Sequence, residues 1–407
     1  MIQSFVPEHT PQRLAVKLKA KAESYVRQGH PWVFESSIVK ISKEGEAGDI
    51  AIVFDQRKNK YIGLGLYDPH SPIRIKMLGH NQSVKIDRDF FIERIASSFD
   101  LRESLFATET NGYRLLFGEN DGVPGLICDV YAHVAVVKLY SAIWFPYLHW
   151  VLDGILESTG CTSIVLRLSR LLQKDNINRN GLNDGDVIYG ELPDPEIEFN
   201  EYGVRFIANV IKGHKTGYFL DHRANRHKVG QMSNGKSVLD VFSYAGGFST
   251  HAIAGGAKEV VSIDISKQAI ALAERNVSLN NENAPHKTMA IDAFEGMQQL
   301  IGQGEKFDIV VVDPPSFAKN AADIPAAKKS YDRLARLAIQ LTAVRGMCIM
   351  ASCSSRIHKD EFFEMIESAF DNFPRAYRLV EKTYHDIDHP VTFPEGSYLK
   401  SGYYKMD

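Results

Sequence analysis

The sequence predicts an α/β protein with a doubly wound, mostly parallel sheet in its C-terminal half and a separate β-rich module at its N-terminus. Three observations carry this. From about residue 201 onward, unbroken apolar runs (Ser237–Phe242, Val260–Ile265, Phe307–Val312, Gly346–Ala351) alternate with helix-length segments, and strands apolar on both faces belong to parallel sheets covered by helices on each side. Carboxylates mark successive strands at positions 240, 264, 292 and 313, where open α/β sheets bind ligands beyond their carboxyl ends. In the first 80 residues, short β-type runs (Ile50–Phe54, Tyr61–Tyr67, Ile73–Leu78) are separated by turn formers, the spacing of a small barrel or β-rich module.

The elements follow in order. After residue 80 the spacing predicts a helix from Asp87 to about Phe106, with Phe91, Ile95 and Phe99 on one face. Strands are expected at Gly125–Asp129 and His133–Tyr140, a helix near Pro146–Ser158 and a strand at Ser163–Leu168. The polar run 173–185 reads as a solvated connection. These stretches predict a division into residues 1–80, a central α+β domain at 81–200 and the doubly wound domain at 201–407. In the last, a glycine-rich turn and a helix closing at Gly255 and Gly256 follow the first strand, and Ser266 is a natural N-cap for a helix through about Asn280.

With 407 residues, 44% of them hydrophobic and 24% charged, the chain has the composition of an ordinary globular protein. A net charge of −3 excludes a highly basic histone-like binder, yet residues 1–80 hold 12 Lys and Arg against 8 Asp and Glu. A nucleic-acid enzyme with a basic N-terminal module is compatible with that distribution. The four cysteines (Cys128, Cys161, Cys348, Cys353) form no Cys-x-x-Cys pair, so neither a disulfide framework nor a zinc site is expected, and no metal is implied. No run approaches the ~18 apolar residues of a membrane span, and no signal-peptide pattern opens the sequence; a cytoplasmic protein without membrane contact is expected.

Candidate chemistry clusters at the predicted strand ends. The segment Asp240-Val-Phe-Ser-Tyr-Ala-Gly-Gly-Phe-Ser249 places Ser243, Tyr244, Ala245, Gly246 and Phe248 where backbone must approach a ligand closely. Its glycines are adjacent, so the Gly-x-Gly-x-x-Gly dinucleotide pattern is absent and a nicotinamide enzyme is disfavoured. Asp264, followed by Ile265, is suited to accept from two ribose hydroxyls. Asp292, before Ala293, is suited to an adenine amino group or to capping the helix that follows. Asp313-Pro-Pro-Ser-Phe317 is the most specific element: Pro314 and Pro315 cannot continue a central strand, so the chain leaves the sheet in a stiff loop bearing Asp313 and the Phe317 ring. A carboxylate beside an aromatic face suits a planar heterocycle. Cys353 lies among serines beyond the next strand, where a nucleophile would sit, whereas Cys348 lies inside the strand and reads as a small buried hydrophobe.

These residues, in this order, resemble class I S-adenosylmethionine-dependent methyltransferases with a Rossmann-like domain, and more narrowly the large-subunit (23S) ribosomal RNA cytosine-5 methyltransferases with an N-terminal PUA domain. Gly29-His-Pro-Trp-Val-Phe34 resembles the PUA entry, and Gly118-Glu-Asn-Asp-Gly-Val-Pro-Gly-Leu126 the central-domain signature. Lys215-Thr-Gly-Tyr-Phe-Leu-Asp-His-Arg223 resembles the segment that lines the cofactor site, which implies roles there for Phe219, Asp221 and Arg223. Ser352-Cys-Ser354 resembles the nucleophile motif; His389-Pro-Val and Phe393–Leu399 resemble the C-terminal strands. The resemblance implies S-adenosyl-L-methionine as cofactor, 23S rRNA as partner, a homodimer as a compatible assembly, and a mechanism in which Cys353 attacks carbon-6 of a flipped cytosine while Asp313 holds its polar edge. The residues depart from the family at Ser316, where lysine is commoner and Lys319 is placed to compensate, and at His222, where glutamine is commoner. His222 reads as a neutral packing or hydrogen-bonding residue.

Two other classes fit parts of the pattern. An enzyme methylating a guanine or adenine nitrogen of RNA also uses an Asp-Pro-Pro-aromatic motif but needs no cysteine. A non-catalytic ribosome-assembly factor would need neither Asp313 nor Cys353. A small-molecule methyltransferase would not need the long N-terminal half.

Overall fold

The computed structural model describes residues 10–174 and 177–407. The chain divides into two compact units. The first comprises the residues up to Phe199, with Ala208–Leu220 and Ile387–Phe393. The second comprises Asn200–Ile207, Asp221–Asp386 and Pro394–Asp407.

The first unit opens with strand β1 (Arg13–Leu18), helix α1 (Ala20–Arg27) and strands β2 (Trp32–Phe34), β3 (Ile38–Ile41), β4 (Ile50–Phe54), β5 (Tyr61–Tyr67) and β6 (Ile73–His80). They form one sheet in the order β2-β6-β5-β4-β1-β3. Burial alternates along β1, whose Leu14, Val16 and Leu18 enter the core. Helices α2 (Arg88–Asp100) and α3 (Glu103–Phe106) follow, where the spacing predicted one continuous helix. The break at Leu101 and Arg102 has a physical reason: Arg102 turns inward, is fully buried, and spends its donors on Asp121 and on the carbonyls of Ser98, Arg114 and Asp388.

Strands β7 (Gly112–Phe117), β8 (Leu126–Tyr131) and β9 (Val134–Leu139), helix α4 (Leu148–Thr159) and strands β10 (Ser163–Leu168) and β11 (Val187–Tyr189) complete a second sheet, ordered β11-β10-β9-β8-β7. The polar run 173–185 is irregular, with Asp175 and Asn176 outside the described residues. It is not wholly solvated, because Ile177 and Leu182 are buried in the core. The hairpin of β12 (Glu196–Glu201) and β13 (Val204–Asn209) has residues in both units.

The second unit contains helix α5 (Arg223–Met232), β14 (Ser237–Val241), α6 (Gly247–Ala254), β15 (Glu259–Asp264), α7 (Lys267–Asn280), β16 (His286–Ala290), α8 (Ala293–Gly302), β17 (Phe307–Val312), α9 (Ile324–Leu341), β18 (Thr342–Ser352), α10 (Lys359–Asp371), β19 (Tyr377–Thr383) and β20 (Lys400–Met406). Its sheet runs β16-β15-β14-β17-β18-β20-β19. The first five strands are parallel, while β20 lies antiparallel between β18 and β19. The strand order reverses between β14 and β17, so their carboxyl ends open the crevice in which such sheets bind ligands. One expectation is corrected: residues 389–399 form no strand, and the C-terminal strand starts at Lys400. Pro390 and Pro394 lack the N–H groups a ladder needs, and a short 3₁₀ turn at Pro394–Gly396 occupies part of the segment.

Candidate active site

At the end of β14 the chain turns sharply. Phe242 and Tyr244 take left-handed backbone conformations (φ 65° and 47°), which are costly for bulky side chains and persist where surrounding bonds over-determine them. Those bonds are visible. Ser243 N–H donates to Ile263 O at 3.0 Å, Tyr244 N–H to Asp264 Oδ2 at 2.9 Å and Gly246 N–H to Ser243 O at 2.8 Å, while Asn276 Nδ2 donates to Ala245 O at 2.8 Å. Gly246 has φ 71°, and a Cβ there would sit 2.7 Å from that of Ala273; glycine lets α7 pack against the turn. Phe248 is buried in the core beneath.

Asp240 Oδ2 accepts from the amide and hydroxyl of Ser249 at 3.1 and 2.7 Å. Its Oδ1 and the Ser243 hydroxyl are buried without a protein partner among the described residues. Burial, with repulsion from Asp313 and Asp264 added, pushes the Asp240 pKa up to about 7 against the Ser249 bonds. Such orphaned polar atoms are rare in native interiors and call for a ligand.

Asp264 spans the turn and the next helix, accepting from Tyr244 at one oxygen and from Ser266 N–H at the other, at 2.8 Å. Ile265 beside it is 72% exposed, a free apolar face at a strand end. Asp292 caps α8 by accepting from the amides of Phe294 and Glu295, and Ala293 is buried. Tyr398 donates its hydroxyl to Asp221 at 2.9 Å, and the fully buried Arg223 pairs with Asp386 at 2.6 Å. Phe219 belongs to the first unit, with the Lys215 ammonium 4.3 Å from its ring centroid.

The ends of β17 and β18 are neighbours, since Val312 pairs with Met350. Asp313 leaves β17, Pro314 and Pro315 carry the chain away, and the Phe317 ring packs edge-on against Tyr331 at 5.2 Å. Cys353 leaves β18 with its Sγ 3.9 Å from Asp313 Oδ1 and 3.8 Å from Pro314 O. Of the four thiols this one alone is not fully buried. Cys348 lies inside β18, and burial drives its pKa up to about 12. The loop after Cys353 is pinned by the Lys400 ammonium, which donates to the carbonyls of Ser354, Ile357 and Tyr398; burial draws the Lys400 pKa down to about 8, against the pull of Cys353.

Residues 185–397 match the S-adenosylmethionine-dependent methyltransferase family, and residues 16–80 match a PUA-like domain. The chain belongs to the S-adenosylmethionine-dependent methyltransferases. It is 41% identical over 407 residues to the ribosomal RNA large subunit methyltransferase of Deinococcus radiodurans, covering 98% of this chain and 99% of that one. It is 33% identical to ribosomal RNA large subunit methyltransferase I of Tolumonas auensis (95% and 97% covered). A solved chain complexed with SAH shares the fold, with a TM-score of 0.80 at 20% identity over 97% of this chain and 100% of that one.

The cofactor of this methyltransferase is therefore S-adenosylmethionine, and its residues fit such a group. Asp264 retains acceptor lone pairs at a strand end, Ile265 offers an apolar face, and Asp240 Oδ1 and Ser243 Oγ lack hydrogen-bond partners among the described residues. His222, expected as a neutral packing or hydrogen-bonding residue, lies with its Nε2 3.3 Å from Asp313 Oδ1. Lys400 is a residue near Cys353 that no motif singled out.

Proposed function

We propose that this methyltransferase forms 5-methylcytosine in large-subunit ribosomal RNA, with Cys353 as transient covalent nucleophile. The observation that carries the reading is the placement of an accessible thiol 3.9 Å from the Asp313 carboxylate, on a rigid loop at the crevice of the sheet. The names of the relatives support large-subunit rRNA as the substrate class, and the PUA-like match supports RNA as the partner.

Carbon-5 of cytosine is a poor nucleophile, and thiolate addition at carbon-6 makes it enamine-like. Cys353 supplies that thiolate, and Asp313 binds the ring-nitrogen and amino edge, where charge develops. Bound S-adenosylmethionine supplies an electrophilic methyl group. Loss of the carbon-5 proton to water or another base, with rupture of the sulfur–carbon-6 bond, then releases the product and restores the Cys353 thiolate. Asp264 and Ile265 hold the nucleoside end of the cofactor; Asp240, Ser243, Tyr244, Ala245, Gly246 and Phe248 form its turn, with Asp292, Ala293, Asp221 and Arg223 around them. Pro314, Pro315 and Phe317 line the base. A stacked base cannot enter such a pocket, so the target is a flipped or single-stranded nucleotide. Residues 1–80 serve RNA binding, 81–200 connect, and 201–407 carry the reaction.

The deciding experiment incubates the full chain with undermodified ribosomal RNA and methyl-labelled S-adenosylmethionine, then digests the RNA to nucleosides. Label is expected in 5-methylcytidine; label in a methylated purine would sink the cytosine reading. Asp240 adds a pH signature. Its pKa near 7 lies far above that of a free carboxyl, and the ionised form favours a cationic ligand. Cofactor binding should therefore release a proton and weaken as pH falls through about 7. Calorimetry in buffers of different ionisation enthalpy at pH 6 and 8 measures this; zero proton release at both would contradict it.

A further inference from the structure

The proposed chemistry uses Asp313 and Cys353, but a third ionisable side chain reaches the same carboxylate oxygen. His222 precedes α5, is 3% exposed, and holds its Nε2 3.3 Å from Asp313 Oδ1, the oxygen that Cys353 Sγ approaches at 3.9 Å. Asp313 Oδ2 makes no hydrogen bond or ion pair among the described residues, which leaves it for a substrate.

The proton on the His222 ring can be placed. Asn225 Nδ2 lies 3.1 Å from His222 Nδ1, while Asn225 Oδ1 accepts the hydroxyls of Thr383 at 2.7 Å and Tyr403 at 2.9 Å. With the Asn225 amide in this orientation its nitrogen donates, so Nδ1 accepts and the neutral ring carries its proton on Nε2. A carboxylate facing Nε2 requires the same arrangement, so both ends of the ring agree. At 3.3 Å the contact is not a formed hydrogen bond, since His222 Nε2 is a buried atom with no hydrogen-bond partner among the described residues; catalytic hydrogen bonds are often long or poorly aligned before substrate closes a site. His222, Asp313 and Cys353 are also a candidate metal cluster among the described residues, with ligand atoms within 4.8 Å of one another. A metal would need a bare Nε2, which the Asn225 donor opposes.

We propose that His222 is a positioning residue, whose Nε2–H holds Asp313 Oδ1 so that the second oxygen and the Cys353 thiol face the base together, with Asn225 locking the ring in that tautomer. This rests on the reading of Asp313 and Cys353 given above. Ring burial opposes protonation of His222, the carboxylates of Asp313 and then Asp221 favour it, and Arg226 opposes it; the pKa ends above the usual histidine value. The Asn225 donor is what keeps Nδ1 bare. An Asn225→Asp change replaces it with an acceptor and favours the imidazolium.

The test measures total label transfer to rRNA by full-length His222→Ala, His222→Gln and Asn225→Asp proteins, with cofactor binding followed by calorimetry. His222→Ala should lower kcat by roughly 10- to 100-fold, the size of one hydrogen bond to a charged group. Cofactor Kd and KM for RNA should stay within about twofold. His222→Gln keeps an N–H donor and should recover most of the rate. Asn225→Asp should move the His222 ionisation in the pH profile of kcat upward from its position in the parent. Parental activity in His222→Ala, or equal impairment of the Ala and Gln variants with cofactor binding intact, would overturn the proposal. If His222→Ala does not fold, Asn225→Asp decides, and an unchanged pH profile would overturn it. The nucleoside labelled by the parent protein tests the cytosine reading separately, because the variant ratios use total label.

Discussion

Cys353→Ala is expected to abolish 5-methylcytidine formation, by about 10⁴-fold or more, the scale of losing a covalent nucleophile. Without addition at carbon-6, carbon-5 has no route to nucleophilicity at neutral pH. Cys348 cannot take over, because it is fully buried within β18 and its pKa stands near 12. S-adenosylmethionine should bind the variant within about twofold of the parent, since the cofactor turn after β14 is built from Asp240, Asp264 and their bonds. Labelled-nucleoside assays and calorimetry on the same preparation separate the two effects. Full activity in the alanine variant would remove the covalent mechanism and favour methylation of a ring or amino nitrogen.

Arg102→Ala should be the most damaging single change to stability. The side chain is fully buried in the first unit, makes a bidentate pair with Asp121 at 2.6 and 2.9 Å and donates to three backbone carbonyls. Removing it leaves Asp121 buried without its countercharge and strands those carbonyls, at a cost of about 3–5 kcal/mol. For a unit of this size the melting transition should fall by roughly 10 °C. Scanning calorimetry reads this directly, and a drop below about 2 °C would show that water or a rearranged partner compensates. Through Asp388 the same arginine ties Ile387–Phe393 to the signature loop at Gly118–Leu126, so those motifs hold a fold together.

The doubly wound domain was legible in the sequence because its strands are apolar on both faces. Ile50–Phe54, Ser163–Leu168 and Phe307–Val312 have the predicted bounds for the same local reason: a β-branched or apolar run closed by turn formers. The strand-end carboxylates proposed for the site were singled out because open α/β sheets bind ligands beyond the carboxyl ends of their strands. Two expectations failed, one through a distant partner and one through prolines inside the segment. The helix at Asp87–Phe106 breaks because Arg102 turns towards Asp121, and residues 389–399 are no strand because Pro390 and Pro394 cannot donate to one.

The family, the doubly wound fold class and the order of the proposed site residues along the chain were thus determined by the sequence itself. Only the tertiary structure decided which of those residues meet. It brought Cys353 and Asp313, 40 positions apart, to 3.9 Å because β17 and β18 pair in parallel register. It placed His222 Nε2 3.3 Å from the same oxygen, with Asn225 beside the other ring nitrogen and Thr383 and Tyr403, far along the chain, on the Asn225 amide oxygen. A histidine's tautomer depends on what stands 3 Å from each nitrogen, and no spacing pattern encodes contacts between residues more than 150 positions apart.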